Sequence, residues 1–229
     1  PMRPTLPIAV LALLSSLHTG SAVAAEFFQT RNESLLSRAV SLPPLMPQTP
    51  VEGRINPGLR LEIVSEYVAI SQGNEQITLD GEITKLTLSA AGRYSPRSHW
   101  ALRVPVMYQG GGFMDSIIND WHDFWGLPEG GRDQAPKNQY LYQYERDGEV
   151  LLSNTESGAR LGDIEVSWHF EATEGLTLST QLQLPTGDTD RYAGGGTLGG
   201  SLWGTYAAES GRWSGFGAAG VSFNGRGDI

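Results

Sequence analysis

Apolar and polar residues alternate along five segments of this chain, each between eight and twelve residues long. A period of two is typical of β-strands whose two faces meet different surroundings. The five segments are 59–70, 84–94, 99–109, 163–170 and 176–184. Two Gly-rich segments with a weaker pattern, 199–208 and 213–223, raise the number of predicted strands to about seven. The chain is therefore predicted to be all-β and antiparallel.

The two faces of the five patterned segments differ in charge. The apolar faces carry none, whereas the opposite faces carry eight charges. A lipid-facing surface must be free of charge in this way, because one charge near the middle of a bilayer costs roughly 2–4 kcal/mol. The core of a soluble sandwich would also be free of charge, so the pattern leaves both architectures open. In a barrel, the eight charges would face the lumen: Arg60, Glu62, Glu66, Lys85, Arg93, Arg103, Asp163 and Glu165.

The lengths of the connections favour a transmembrane barrel over the sandwich. Tight connections alternate with long ones along the chain: 95–98, 110–159, 171–175, 186–198 and 208–212. Short turns at one end and long loops at the other are typical of outer-membrane barrels. Tyr94, Trp100 and Phe170 lie beside the short turns, where an interfacial girdle of aromatic residues is expected. A soluble periplasmic sandwich remains the alternative fold.

The N-terminal part of the chain predicts export. Residues 1–25 have the positive start, apolar run and small-residue cleavage site of a signal peptide. Residues 26–57 contain five prolines and predict an irregular periplasmic leader. We then expect 58–229 to form the N-terminal part of one outer-membrane barrel. Because such barrels normally have an even number of strands, we expect this sequence to be a fragment that lacks its C-terminal strands.

The long outer loop 110–159 predicts secondary structure of its own. It carries nine acidic and three basic residues, and its first part predicts an amphipathic helix that stops at Gly126. Asp147 and Gly148 predict a tight hairpin further along. Four apolar residues would form one helical stripe, and they are our candidates for a constriction of the lumen: Phe113, Ile117, Trp121 and Phe124.

Composition excludes several classes of function. The chain has no cysteine, which rules out disulfides, thiolate metal sites and a cysteine nucleophile. With a net charge of −9 and no basic run, it has no basic face for nucleic acid.

Few residues suggest a catalytic, metal or cofactor site, and each of them also has a simpler structural interpretation. Ser167 and His169 share a strand face with carboxylates, but neighbours two apart on a strand point in parallel and rarely form a nucleophile–base pair, so we predict no catalytic residues. The carboxylates around His122 lack the i, i+4 spacing of helical metal ligands, so we predict no metal site. Glycines 194, 196 and 199 match a nucleotide-binding pattern, but no helix is predicted after them, and no cofactor is expected.

Three segments carry a resemblance to a known family. They are LDGEITKLTLSAAGRY (79–94), GGGFMDSIINDWHDFWGLPEGGRDQAPKN (110–138) and LGDIEVSW (161–168). They resemble a family of exported Gram-negative proteins known as domain-of-unknown-function family 3187, and the resemblance runs from about Phe27 to the end of the chain. It implies an outer-membrane β-barrel but no established activity and no functional residues. LPTGD (184–188) is also similar to a turn in barrels of the phenol-degradation transporter type.

These observations predict an uncharacterised barrel of the bacterial outer membrane. A passive pore or uptake channel with an acidic constricting loop is the first hypothesis. A structural or binding barrel with a plugged lumen is the second, and an outer-membrane hydrolase is the third. The expected partners are outer-membrane lipid, lipopolysaccharide and a small solute, while the oligomeric state stays open.

Overall fold

The computed structural model describes residues 32–35, 37, 42–43, 50–210 and 213–225. Of these, residues 50–210 and 213–225 contain ten β-strands, one α-helix and a one-turn 3₁₀ helix. The strands are β1 (Asn56–Gln72), β2 (Glu75–Ser95), β3 (Ser98–Gly110), β4 (Leu141–Arg146), β5 (Glu149–Asn154), β6 (Gly158–Leu161), β7 (Ile164–Thr173), β8 (Leu176–Leu184), β9 (Gly199–Ser210) and β10 (Trp213–Asn224). The helix α1 spans Met114–Trp125, and the 3₁₀ helix spans Arg132–Gln134.

All seven predicted strands are present, and the prediction of an all-β antiparallel chain is confirmed. The strand number of about seven was too low, because the loop hairpin adds β4 and β5 and a short β6 precedes β7. The strand predicted from position 84 begins earlier, at Glu75, since its first six residues pair with β4. The predicted signal peptide and most of the predicted leader lie outside the described residues. The sheet begins at Asn56, two residues before the predicted boundary.

Hydrogen bonds join the strands in the order β10-β9-β8-β7-β3-β2-β4-β5, while β1 pairs with β2 and β6 pairs with β3. The pairs whose register is resolved are all antiparallel. The β4–β5 turn places Asp147 and Gly148 at positive φ, 54° and 78°, as a type I′ hairpin requires. Hydrogen bonding to Tyr144, reinforced by the Glu75 carboxylate, raises the pKa of the Arg146 guanidinium in this hairpin.

The contacts divide the chain into two compact units. The first, called the loop unit here, comprises Leu61–Lys85 and Met107–Arg160. The second, called the strand unit, comprises Leu86–Val106 and, of the described residues, 32–35, 37, 42–43, 50–60, 161–210 and 213–225.

The strand unit buries its polar face. Along β7, Glu165, Ser167 and His169 are buried, whereas the large apolar side chains Trp168 and Phe170 are each 47% exposed. The same inversion continues on the neighbouring strand β8 and on β9. Among the described residues, eighteen buried side chains are polar or charged and only eight are apolar. The hydrophobic alternation therefore predicts where the strands lie, but the apolar face of these strands does not form a buried core.

No helix among the described residues is long and apolar enough to cross a bilayer.

Candidate functional site

Four strands of the strand unit place polar side chains side by side on one face, which we call the polar face. Strand alternation directs them to the same side, and the register of β3, β7, β8 and β9 brings them together. Its most deeply buried members, each no more than 3% exposed, are Ser167, His169, Ser179, Gln181 and Thr205. Buried polar groups need hydrogen-bond partners, so the contacts within this face decide what it can do.

His169 is the centre of the polar face. Its Nε2 lies 2.9 Å from Ser167 Oγ and its Nδ1 lies 2.9 Å from Ser179 Oγ. A neutral imidazole has one donor and one acceptor nitrogen, and a hydroxyl can serve either, so both nitrogens are satisfied. The ring stacks on His99 with centroids 4.7 Å apart, and Trp203 meets it edge-on at 5.9 Å.

The hydrogen bond between Ser167 and His169 contradicts the expectation that neighbours two apart on a strand do not pair. The imidazole Nε2 reaches the Ser167 hydroxyl, although both side chains leave the strand on the same side. The arrangement still differs from a hydrolytic triad, because the group that holds the second nitrogen is the Ser179 hydroxyl rather than a carboxylate. Ser167 is also completely buried, at 0% exposure.

Arg103 connects two strands of the polar face. Its Nη1 lies 3.3 Å from Glu165 Oε2 and donates to Gln181 Oε1 at 3.1 Å. This is one of the cross-strand ion pairs that the alternation suggested, and a second joins Lys85 and Glu62 at 3.9 Å in the loop unit.

The remaining charges predicted to face a lumen have different surroundings. The Glu66 carboxylate, in a residue 5% exposed, accepts a hydrogen bond from the Tyr142 hydroxyl at 3.2 Å. Arg93 donates through Nε to the carbonyl oxygen of Pro50 at 2.9 Å, and Arg60 is half-buried. That these charges face a lumen stays a prediction.

Asp163 organises the loop that follows β8. Its carboxylate accepts hydrogen bonds from the backbone N–H of Gly187 at 2.8 Å, from that of Gly195 at 2.7 Å and from Gln183 Nε2 at 2.7 Å. A Cβ at Gly187 would lie 2.6 Å from the Cα of Gly194 and 2.9 Å from Asp163 Oδ1. The glycines of LPTGD and AGGG are thus explained by the close approach of two backbone segments around one carboxylate. The strand that begins at position 199 confirms that no helix follows these glycines.

In the loop unit, three charged side chains fasten α1 and the segment after it to β1 and β2. We call Glu82, Asp115 and Arg132 the loop clamp. Glu82 accepts a hydrogen bond from the backbone N–H of Met114 at the start of α1. Asp115 accepts from Arg132 Nε at 3.1 Å and from the backbone N–H of Asn138 at 2.6 Å.

Arg132 extends the loop clamp to strand β1. Its Nη2 contacts Asp115 and donates to Ser65 Oγ at 2.6 Å. The adjacent Gly131 carbonyl accepts from the Tyr67 hydroxyl at 3.2 Å. A Cβ at Gly111 would lie 1.8 Å from the Asn138 carbonyl oxygen, so a glycine is required where the loop passes its own returning segment.

The helix α1 lies where the sequence predicts it and ends at Gly126 in a left-handed conformation, as expected. Its apolar stripe, however, is solvent-exposed: Phe113 58%, Ile117 57%, Trp121 58% and Phe124 76%. The buried face of the helix carries Asp115, Ile118 and His122 instead. A role of the stripe as a lumenal constriction stays a prediction, and the contacts of α1 within the loop unit do not favour it.

His122 has an acidic neighbour but no set of metal ligands. Its Nδ1 lies 3.4 Å from Glu129 Oε2, an approach without hydrogen-bond geometry. In the part of the chain that the structure describes, no three His, Asp or Glu side chains are grouped as a metal ion would require.

Comparisons with known proteins identify a family. No curated protein and no solved structure matches the chain. A family described as "Protein of unknown function (DUF3187)" matches residues 3–229. This is the family that the three quoted segments resemble, and the match covers almost the entire chain. The protein therefore belongs to the DUF3187 family.

Proposed function

We propose that this protein is a β-barrel of the Gram-negative outer membrane whose apolar sheet face contacts lipid. The observation that carries the proposal is the inverted burial of the strand unit. Leu178 and Leu182 are 46% and 36% exposed, while Ser179 and Gln181 between them are 2% and 3% exposed. A soluble sandwich would bury the leucines and expose the polar residues. Exposed apolar surface on this scale marks contact with a membrane or a partner, and closed barrels span membranes with this alternation.

The polar face supports a barrel whose interior is filled by its own side chains, with a structural or binding role. Arg103 hydrogen bonds to Gln181 and pairs with Glu165, while His169 is held between two serines. These groups satisfy one another, so they do not need a solute or a water column. We propose no catalytic role for them, because Ser167 is fully buried and no carboxylate orients His169.

A passive pore for small polar solutes is the second candidate, and one observation favours it. Both amide atoms of the fully buried Gln109 and the Nε2 of His99 have no hydrogen-bond partner among the described residues. Buried polar atoms in this condition commonly bind water. A wet interior would be compatible with conduction.

Two measurements on the full-length protein separate these proposals. A heat-dependent gel shift in detergent is expected of a folded barrel, and its absence would overturn the membrane proposal. Planar-bilayer recordings of the shifted species are expected to be silent if side chains fill the interior. Discrete ohmic steps would instead establish the pore, and Arg103→Glu should then shift its ion selectivity towards cations.

A further inference from the structure

The helix α1 presents three distinct faces. At about 100° per residue, the buried residues Asp115, Ile118 and His122 form one face. A second face is apolar and exposed, and it extends the predicted stripe by Trp125, which is 58% exposed. The third face is polar and exposed: Ser116, Asp120 and Asp123. Around the helix, the buried face is therefore followed by the exposed apolar face and then by the exposed polar face. We call the last two the apolar flank and the polar flank.

The aromatic residues of the apolar flank form a connected surface. Trp125 contacts Trp121 with ring centroids 5.6 Å apart and Phe124 with centroids 5.0 Å apart, both edge to face. These three rings remain 58%, 58% and 76% exposed despite packing on one another. Tryptophan and phenylalanine in such a position are unusual on a water-facing helix but typical of helices at a membrane interface.

The loop clamp fixes the rotation of α1. Glu82 accepts from the backbone of Met114, and Arg132 bridges Asp115 to Ser65. These contacts turn a polar face of the helix towards the sheet, so the aromatic residues are left outside. An amphipathic helix of a soluble protein would instead turn its apolar face towards the protein and its polar face towards water.

The clamp also decides which face of β1 the helix segment covers. Ser65 and Tyr67, which contact Arg132 and Gly131, share one strand face with Leu61 and Ile63. Leu61 is 45% exposed and belongs to the apolar face proposed to contact lipid. It lies four residues from Ser65, or about 13 Å along the strand. The loop clamp therefore lies on the apolar side of the strand, a short distance from the proposed lipid-facing surface.

We infer that α1 is an interfacial helix that lies on the surface of the outer membrane, with the flank of Phe113, Ile117, Trp121, Phe124 and Trp125 in lipid. The inference rests on the proposed membrane barrel and adds a second lipid contact to it. A helix that leans on the outside of a barrel wall has lipid on one flank and water on the other. The observed order of buried, apolar and acidic faces fulfils this requirement.

The absence of cysteine from the chain makes the inference directly testable. The intact protein carries a single nitroxide at Phe124→Cys and, as a matched control one residue away, at Asp123→Cys. Both are measured after refolding into phosphatidylcholine vesicles, through the accessibility of the nitroxide to oxygen and to a water-soluble nickel complex. A third label at Leu178→Cys reports the barrel wall. Trp121→Cys repeats the test at a second position of the apolar flank.

The expected result is high oxygen and low nickel accessibility at positions 124 and 121, and the reverse at position 123. High nickel accessibility at positions 124 and 121, with Leu178→Cys in lipid, would overturn the inference and leave the barrel intact. Nickel accessibility at 178 as well would overturn the barrel proposal itself. Labels shielded from both reagents, or broadened by spin–spin coupling, would show that protein or a second copy covers the flank and would equally contradict the inference.

Discussion

The two halves of strand β2 differ in which side chains they bury and which they expose. The difference reflects the surroundings of each half. From Lys85 to Leu88, buried and exposed residues alternate, and the exposed ones are leucines. From Leu79 to Ile83, all five residues are buried. On the side that carries Leu86 and Leu88, the strand now presents Glu82, which receives a backbone N–H of α1. This face of β2 is therefore apolar where its side chains are exposed. It is acidic where the loop brings a backbone N–H donor against it.

The comparison implies two independent sources of stability. The loop unit depends on a few buried charges, whose loss leaves a partner unpaired in a dry environment. In the proposed outer-membrane barrel, the apolar exterior of the strand unit gains its stability only in lipid. Substitutions in the two units should therefore destabilise the protein in different ways. The effects expected below decrease from the first variant to the last.

Arg132→Ala should destabilise the loop unit by about 3–5 kcal/mol, because it leaves the buried Asp115 carboxylate without its cation. Amide hydrogen exchange should accelerate across residues 111–138, while the heat-dependent gel shift expected of the proposed barrel persists. Lys137→Ala removes an exposed positive charge from the same loop and should leave exchange unchanged. Equal effects of the two variants would contradict the loop clamp.

Leu178→Arg should lower the free energy of unfolding from a bilayer by about 2 kcal/mol, because it places a charge on the proposed lipid-facing surface, two residues from the middle of β8 and therefore short of the depth at which the cost is largest. Leu152→Arg, at a similarly exposed position of the loop hairpin, should change it by less than about 0.5 kcal/mol. Urea-dependent refolding into phosphatidylcholine vesicles measures both. If Leu178→Arg is as harmless as Leu152→Arg, the apolar face does not lie in lipid.

Asp163→Ala should destabilise the 185–198 loop by about 2 kcal/mol, since two backbone N–H groups lose a charged acceptor and a hydrogen bond to a charged group contributes about 1.5–3 kcal/mol. Limited proteolysis should then cut this loop faster. Asp190→Ala, an exposed acid in the same loop, supplies the control. Unchanged proteolysis of Asp163→Ala would show that the loop holds its shape without the carboxylate.

Ser167→Ala should have the smallest effect, about 1 kcal/mol: it leaves only His169 Nε2 without its partner, at the low end of the roughly 1–3 kcal/mol that an unsatisfied buried group costs, because Ser179 still holds the ring. The denaturant midpoint in vesicles measures the loss. The same variant tests for a hydrolase: if the wild type cleaves a nitrophenyl ester and Ser167→Ala does not, the absence of a catalytic role is wrong.

The sequence predicts the elements well because their signals are local. Alternation locates the long strands, Gly126 ends the helix and Asp147-Gly148 forms the hairpin turn. Each signal depends on neighbours within a few residues, where backbone preferences act directly. The sequence pattern does not show the early start of β2, because its first residues pair with a hairpin more than sixty residues further along the chain.

The contacts of the site could not be predicted in the same way. Asp115 and Arg132 are seventeen residues apart, and nothing in their spacing shows that the two meet. The apolar stripe of α1 suggested a constriction of the lumen, but helical spacing alone does not show which face of the helix packs on its neighbours. Buried acids determine that face by accepting hydrogen bonds from backbone N–H groups and a guanidinium, an effect that only the three-dimensional arrangement shows.

The most direct test of the account is a nitroxide scan along β8. Single cysteines replace Leu178, Ser179, Thr180, Gln181 and Leu182 in the intact protein refolded into vesicles. The account predicts that oxygen accessibility oscillates with a period of two, high at the even positions and low at 179 and 181. A flat profile, or high accessibility to the water-soluble nickel complex at 178 and 182, would contradict the claim that this protein turns its apolar face to lipid.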